Sequence, residues 1–277
     1  MMTCNTLYDA IVGGDFAATK DLLCKTGSLV NEVLGENEDS ALTLSLRLGR
    51  AEIASYLLTY KNVDINYRNK EGKASLYYCM AKLQDEKVSE EMLNILRQMV
   101  ITIGGCNINE RLIIQRKEEN KTKEENNNNN NGDDDDDDDD DSDYPIQFAV
   151  KHGQSEALRI LFESEHPLLN VNVTTVQRRQ SVLHLIVHKR SLALLHQFML
   201  LLSTSNKQTL DLDALDCDGH TALYKSVLLC QYAIANALCQ FGANANVPCG
   251  PLRQTIAHLI FQSWPDSFNQ SINQSTN

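Results

Sequence analysis

Aromatic residues make up only 6% of this sequence, few for an enzyme of similar length built around one large core, so small and aliphatic side chains carry most of the packing. The eight cysteines (Cys4, Cys24, Cys79, Cys106, Cys217, Cys230, Cys239 and Cys249) include no C-x-x-C pair, which excludes a zinc ribbon and a dithiol motif. They are expected mostly as reduced, small core residues. No uninterrupted apolar stretch approaches the roughly 20 residues of a membrane-spanning helix. The first residues, MMTCNTLYDAIVGGDF, lack a basic segment and meet Asp9 before any long apolar run, so no signal peptide is expected. The expected location is therefore the cytoplasm, with the nucleus also open to the chain. The Asn-x-Ser/Thr triplets at Asn172, Asn269 and Asn273 would then carry no glycan.

A basic stripe is also missing. The formal charge is −12, of which Asp133–Asp141 and Asp143 supply ten negative charges, leaving the remainder close to neutral. That distribution excludes the electrostatic footprint of a nucleic-acid binder. Between 42% hydrophobic and 22% charged residues, there is still enough apolar material for a sizeable core.

What is present is self-similarity. A four-residue phrase (small or hydroxyl, variable, aliphatic, polar) recurs as Ser40-Ala41-Leu42-Thr43, Ala74-Ser75-Leu76-Tyr77, Tyr144-Pro145-Ile146-Gln147, Ser181-Val182-Leu183-His184, Thr221-Ala222-Leu223-Tyr224 and Thr255-Ile256-Ala257-His258, with a degenerate first copy at Asn5-Thr6-Leu7-Tyr8. Successive third positions are separated by 35, 34, 70, 37, 40 and 34 residues; the 70 is one period plus an insert. A period in this range marks a stacked repeat architecture. In the second copy Leu42, Leu44 and Leu46, then Ile53, Leu57 and Leu58, place apolar groups on one side of two short helices, with Gly49 between them. Gly14 and Gly153 occupy the same place elsewhere, where glycine accepts the left-handed conformation that ends a helix.

These features resemble the ankyrin repeat, whose signature T-P-L-H-x-A is approached most closely by Asp216-Cys217-Asp218-Gly219-His220-Thr221-Ala222-Leu223-Tyr224 and whose closing phrase is approached by Phe241-Gly242-Ala243-Asn244-Ala245-Asn246. Weaker endings are Val63-Asp64-Ile65-Asn66, Cys106-Asn107-Ile108-Asn109 and Val171-Asn172. The resemblance implies an all-α solenoid of helix pairs: repeats 1–3 over 1–109, repeats 4–7 over 144–264 and a polar tail over 265–277. Residues 110–143, with a mixed-charge stretch, six consecutive asparagines and the aspartate run, cannot bury enough apolar surface to order themselves. They are expected to replace a hairpin finger. A second domain boundary there competes with a continuous stack, which is favoured because it buries both flanking faces. The third unit is expected to carry a longer loop around Gln84–Ser89, and the fifth a helix over Leu192–Leu202 followed by a loop through Gln208.

No catalytic, cofactor or metal site is expected. His184 and His188 have zinc-helix spacing but lack the glutamate of H-E-x-x-H, and both His184 and His258 occupy the signature histidine position, where the resemblance implies a tie to the hairpin backbone. The aspartate run lacks the turn glycine and spaced ligands of a calcium loop. Gly13-Gly14 and Gly104-Gly105 do not fit a phosphate loop. The resemblance implies instead a concave protein-binding surface, onto which Lys70, Glu71 and Lys73 around Gly72, Cys217, Asp218 and His220 around Gly219, and Arg178 and Arg179 are carried. The acidic insert is expected to contact basic segments. Leu58 followed by Asp64-Ile65-Asn66 resembles the hairpin phrase that an asparaginyl hydroxylase modifies in many ankyrin proteins, making Asn66 a candidate modification site, although the repeat's own consensus gives the same phrase. A scaffold or adaptor is the leading expectation. A cytoplasmic inhibitor of the NF-κB-inhibitor type, suggested by Leu210–Leu223, and an accessory subunit of an enzyme complex such as a ubiquitin ligase are the alternatives. No Asp-Ser-Gly-x-x-Ser motif supports the first, and the stretch after Trp264 is too short for a ligase-recruiting box.

Overall fold

The computed structural model describes residues 6–25, 27–84, 89–103, 105–113, 143–164, 169–205 and 209–262. They fall in two compact units, Met1–Pro145 and Ile146–Asn277. Unit 1 contains α1 (Leu7–Gly13), α2 (Phe16–Lys25), a 3-10 turn (Gly27–Asn31), the hairpin strands β1 (Val33–Leu34) and β2 (Asp39–Ser40), α3 (Ala41–Arg47), α4 (Ala51–Leu57), α5 (Ser75–Lys82) and α6 (Ser89–Arg97). The strands pair antiparallel, Val33 with Ser40 and Leu34 with Asp39. Unit 2 takes up α7 (Pro145–Lys151) after its first residue, then α8 (Ser155–Glu163), α9 (Val182–His188), α10 (Leu192–Ser205), α11 (Ala222–Leu228), α12 (Tyr232–Gln240) and α13 (Ile256–Gln262). No helix among the described residues is long and apolar enough to cross a membrane.

Every copy of the recurring phrase opens a helix, and in several a capping hydroxyl explains why. The first-position hydroxyls of Ser40 and Thr221 accept from the backbone N–H groups of Thr43 and Tyr224, at 3.2 and 3.1 Å, and in the degenerate first copy the second-position hydroxyl of Thr6 accepts from Asp9 N–H at 3.1 Å, satisfying one of the orphan donors at each of these helix starts. In six of the seven copies the third residue is core, Leu7, Leu42, Leu76, Ile146, Leu183 and Leu223 all being buried, whereas Ala257 of the last copy is exposed. Each such leucine, fully buried, contributes about 1.5–3 kcal/mol. Within unit 1 α3 packs on α1 and α5; within unit 2 α11 packs on α9 and α13. A helix pair therefore completes its core only against its neighbours.

Asparagine and aspartate side chains hold consecutive repeats in register. Asn31 Oδ1 accepts from Asp64 N–H (2.8 Å) while its amide donates to Asn62 O (2.6 Å). Asn66 repeats the clamp on Asn107 N–H (2.9 Å) and Gly105 O (2.7 Å). In unit 2 Asn172 grips Asp211 N–H (2.9 Å) and Thr209 O (2.9 Å), and Asp213 accepts from Asn244 N–H (2.8 Å).

Four expectations change. Leu112 and Ile113, assigned by composition to the insert, are 1% and 3% exposed. Leu112 O accepts from Ala74 N–H (3.2 Å), Leu112 N–H donates to Asp143 O (2.8 Å), Ile113 bridges to Lys73 and Arg68 donates to the carbonyls of Arg111 and Leu112. Residues 110–113 and the buried Asp143 thus belong to the fold, because two apolar side chains beside Glu110-Arg111 can be buried even where the flanking sequence is polar. The asparagine and aspartate runs lie outside the described residues. In the third unit residues 85–88 of the expected loop lie outside the described residues, and further length is taken up where α6 continues as a π-helical turn, Gln98–Thr102, with Ile103 N–H reaching Gln98 O at 2.9 Å. Helix α10 runs on through Ser203, Thr204 and Ser205, whose hydroxyls bond back to Leu200, Leu201 and Leu202 carbonyls. Finally, among the described cysteines Cys24, Cys217, Cys230 and Cys239 are exposed and only Cys79, Cys106 and Cys249 are buried; burial pushes the Cys106 thiol up to about 12.

Candidate protein-binding surface

The fingers that precede the first helix of a repeat turn at one recurrent position, four residues before the third residue of the phrase. Glu38, Gly72, Arg179, Gly219 and Arg253 all have positive φ there, at 53°, 75°, 49°, 73° and 50°. A second left-handed position lies seven residues after the same core residue, in the turn between the paired helices: Gly14, Gly49, Gly153, Arg190 and Cys230, with φ of 70°, 70°, 64°, 51° and 57°. Glycine suits both because a Cβ is disfavoured there. The glycine expected at 14, 49, 72, 153 and 219 is thus explained by geometry, and Arg179 fills the finger position for which no glycine was available.

In unit 2 the fingers are tied to each other by backbone. Cys217 N–H donates to Arg178 O (2.9 Å) and Gly250 N–H to Gly219 O (2.9 Å). These bonds use main-chain atoms and leave the tip side chains outside: Arg178, Arg179, Cys217 and Asp218 are exposed and His220 is half-buried. In unit 1 Lys70 N–H donates to Asn37 O (2.9 Å), so Lys70 and Glu71 lie at an exposed tip, whereas Lys73 is drawn in, pairing with Glu71 at 3.0 Å and lying over the Tyr77 ring at 5.1 Å. The structure brings Arg178, Arg179, Cys217, Asp218 and His220 together in unit 2 and Lys70, Glu71 and Lys73 in unit 1.

Below the tip of the sixth finger sits a buried clamp. Asp216 Oδ1 accepts from Asp218 N–H (3.0 Å) and His220 N–H (2.9 Å), and Oδ2 takes Lys225 Nζ at 2.6 Å. Burial works to raise the Asp216 pKa, but the Lys225 ammonium and the His220 N–H outweigh it and hold the carboxyl below its usual range. Although Asp216, Asp218 and His220 place ligand-type atoms within 4.8 Å of one another, both Asp216 oxygens are occupied by finger and helix donors, and the cluster serves as a clamp. His220 stacks flat on Tyr224, centroids 4.8 Å apart. Partial desolvation at the exposed tip, with Asp218 and Asp216 nearby, pushes the Cys217 thiol up, which disfavours the reactive thiolate.

The His184–His188 pair resolves in the same terms. His184 is buried; its Nδ1 accepts from Ser181 N–H (3.2 Å) and pairs with Ser181 Oγ (2.8 Å), while Nε2 meets His220 O at 3.0 Å. Both nitrogens are used, so the pair does not form a zinc site. Exposed His188 lies 3.4 Å from the Gln180 amide.

The sequence marked the turn between paired helices only where glycine stands in it, and so not in the repeats of Leu183 and Leu223. Lys189, Arg190, Leu228, Leu229 and Tyr232 are all exposed there. Alignment on the position seven residues after the third residue of the phrase would have found them, since Arg190 and Cys230 stand where other repeats have glycine.

Residues 146–249 match the family model described as ankyrin repeats (3 copies). No curated protein sequence matches the chain. Among solved structures, the ankyrin repeat protein EF0377 is 17% identical with a TM-score of 0.60, over 84% of this chain and 96% of that one. An ankyrin repeat domain from Acinetobacter baumannii is 17% identical with a TM-score of 0.59, over 86% and 98%. The ankyrin repeat domain of Bcl-3, described as a unique member of the IkappaB protein family, is 14% identical with a TM-score of 0.59, over 90% of each chain. At these identities the likeness is one of fold.

Proposed function

Given that this chain is an ankyrin-repeat protein, we propose that it is a non-catalytic scaffold or adaptor that binds a protein partner on its finger tips and the adjoining helix face. The observation that carries this reading is the backbone stitching of the unit 2 fingers. Cys217 to Arg178 and Gly250 to Gly219 are main-chain bonds, so the tips are tied to one another by backbone while the side chains of Arg178 and Arg179 stay exposed. A preorganised surface of this kind loses little entropy on binding, and the ankyrin fold is in general an interaction module.

Arginine tips suit this role because a guanidinium offers a planar five-donor fork and is enriched at interface hot spots. The inhibitor-type alternative, which masks a basic segment, is disfavoured by the same residues: Arg178 and Arg179 would repel it. For the accessory-subunit alternative no described residue supplies a specific argument.

The test is affinity purification with mass spectrometry on the full chain and on a variant carrying Arg178→Ala, Arg179→Ala and Asp218→Ala. A specific partner lost by the variant at an unchanged melting temperature is the expected result. Undiminished capture by the folded variant would remove the fingers of unit 2 from the binding surface.

A further inference from the structure

Resting on the protein-binding reading, we infer that the repeat running from the Thr174–Ser181 finger through α9 to Arg190 is a docking site for an acidic segment of a partner protein, with a bulky apolar residue of that segment seated on the neighbouring turn of α11 and α12.

The argument starts from the two left-handed positions. Glycine, or at least one glycine, serves them in the other repeats where both are described: Glu38 with Gly49, and Gly219 with Cys230. Only the repeat of Leu183 has arginine at both, Arg179 at φ 49° and Arg190 at φ 51°, among the described residues. A side chain held at positive φ is disfavoured relative to glycine. Strain kept at two places in one repeat, each time to present a guanidinium, points to a use for the guanidinium.

The surroundings leave these cations available. Arg178, Arg179, Lys189 and Arg190 are exposed, and none is in an ion pair with a described residue. By contrast Arg159 pairs with Glu156 at 2.8 Å and Lys225 with Asp216 at 2.6 Å, so unit 2 does pair cations where acids are near. The finger and the far end of α9 are linked along one face, since the Gln180 amide reaches the His188 ring at 3.4 Å. Helix α9 has seven residues, which separates the two arginine-bearing ends by about 10 Å. About three residues of extended chain cover that distance.

Beside this cationic strip the chemistry changes. Helix α11 packs on α9, and where α9 ends in His188-Lys189-Arg190, α11 ends in Leu228-Leu229-Cys230, followed by Tyr232. Leu228 and Tyr232 are 51% and 65% exposed. Carboxylates spaced along an extended segment satisfy Arg179 and Arg190, arginine being suited to bidentate carboxylate pairing. The apolar turn then takes an aliphatic or aromatic neighbour, giving the desolvated anchor that interfaces use. Nucleic acid is disfavoured by the same pairing of four cations with an apolar ledge in a chain of charge −12.

The experiment is selection of a random peptide library displayed on phage against the full chain, followed by fluorescence-anisotropy titration of the selected peptides and of a labelled single-stranded oligonucleotide. Two variants are compared, Arg179→Gly with Arg190→Gly and Arg179→Gln with Arg190→Gln. The expected peptides carry clustered Asp or Glu next to an aliphatic or aromatic residue and bind more weakly as salt is raised. Both variants should weaken them at least about tenfold. The glycine variant should melt no lower than the parent, since glycine suits both positions; the glutamine variant tests charge with the backbone preference little changed. Neutral or basic selected peptides, or acidic peptides bound by both variants as tightly as by the parent, would overturn the inference while leaving the protein-binding reading in place. Oligonucleotide binding lost with the same arginines would also overturn it. Failure of the broader reading is a separate result, namely no specific partner on the full chain in the purification described above.

Discussion

Nε2 of His184 bonds to the main-chain carbonyl of His220, 3.0 Å away and 36 residues further along the chain. Because Nδ1 accepts from Ser181 N–H, the ring proton resides on Nε2, and a neutral imidazole joins the start of one repeat's helix to the finger of the next. His258 repeats the local half of this device, with Thr255 N–H donating to its Nδ1 at 3.2 Å.

His184→Ala should lower stability by about 2–4 kcal/mol, combining unsatisfied buried groups with a cavity. Urea denaturation measures the loss. Hydrogen exchange should quicken at Asp216–His220, and a variant that left those amides protected would show that the finger is held without the imidazole.

Stability should also fall on mild acidification. Burial lowers the His184 pKa, with the His220 carbonyl and Asp216 opposing it less strongly. The folded chain therefore resists a proton that the unfolded chain accepts at about pH 6.5. Stability is full above that value, declines as pH falls below it and levels off once the lowered folded pKa is passed. Urea midpoints at pH 7.5 and 5.5 should differ more for the parent than for His184→Asn; equal differences would assign the slope to other groups.

Lys225→Met should destabilise unit 2 by about 3 kcal/mol or more, because it strands the buried Asp216 carboxylate. Asp216→Asn, which still accepts from the finger N–H groups, should be milder. Calorimetric melting of the two variants gives the order, and the reverse order would mean that the lysine is dispensable to the clamp.

Replacement of residues 110–143 by a Gly/Ser linker should lower the melting temperature, since it removes buried Leu112 and Ile113, each contributing about 1.5–3 kcal/mol. Replacement of 114–142 alone should leave it within a few degrees, since that composition supplies no core. Thermal melts of the two deletions decide it, and equal melting would show that the 110–113 pairing is not stabilising.

Asn66→Ala should cost about 1–2 kcal/mol by opening the clamp on Gly105 and Asn107. Mass spectrometry of the chain after expression in a eukaryotic cell is the check on Asn66 as a modification site: one added oxygen atom on the peptide containing Asn66 is expected, and an unmodified peptide at full occupancy would sink that assignment.

The repeat was legible in the sequence because helix-starting chemistry is local. A hydroxyl that caps, an aliphatic residue two places on and a glycine seven places further lie within one helix pair, so Ser40, Leu42 and Gly49 announce the same unit that Thr221 and Leu223 do. The turn position itself was fixed by the chain as well, which is why Arg179 could be placed at a finger without a glycine to mark it. Tertiary structure alone decided what depends on neighbours 30 to 40 residues away. Composition could not show that Leu112 and Ile113 pair with Lys73 and Ala74, since burial comes from the partner strand and not from the flanking polar residues. Nor could it show that Lys73 is drawn onto Glu71 and Tyr77 while Arg178, Arg179 and Arg190 pair with no acid among the described residues, because the availability of a charge is set by which side chains the stacking of one helix pair on the next brings within reach.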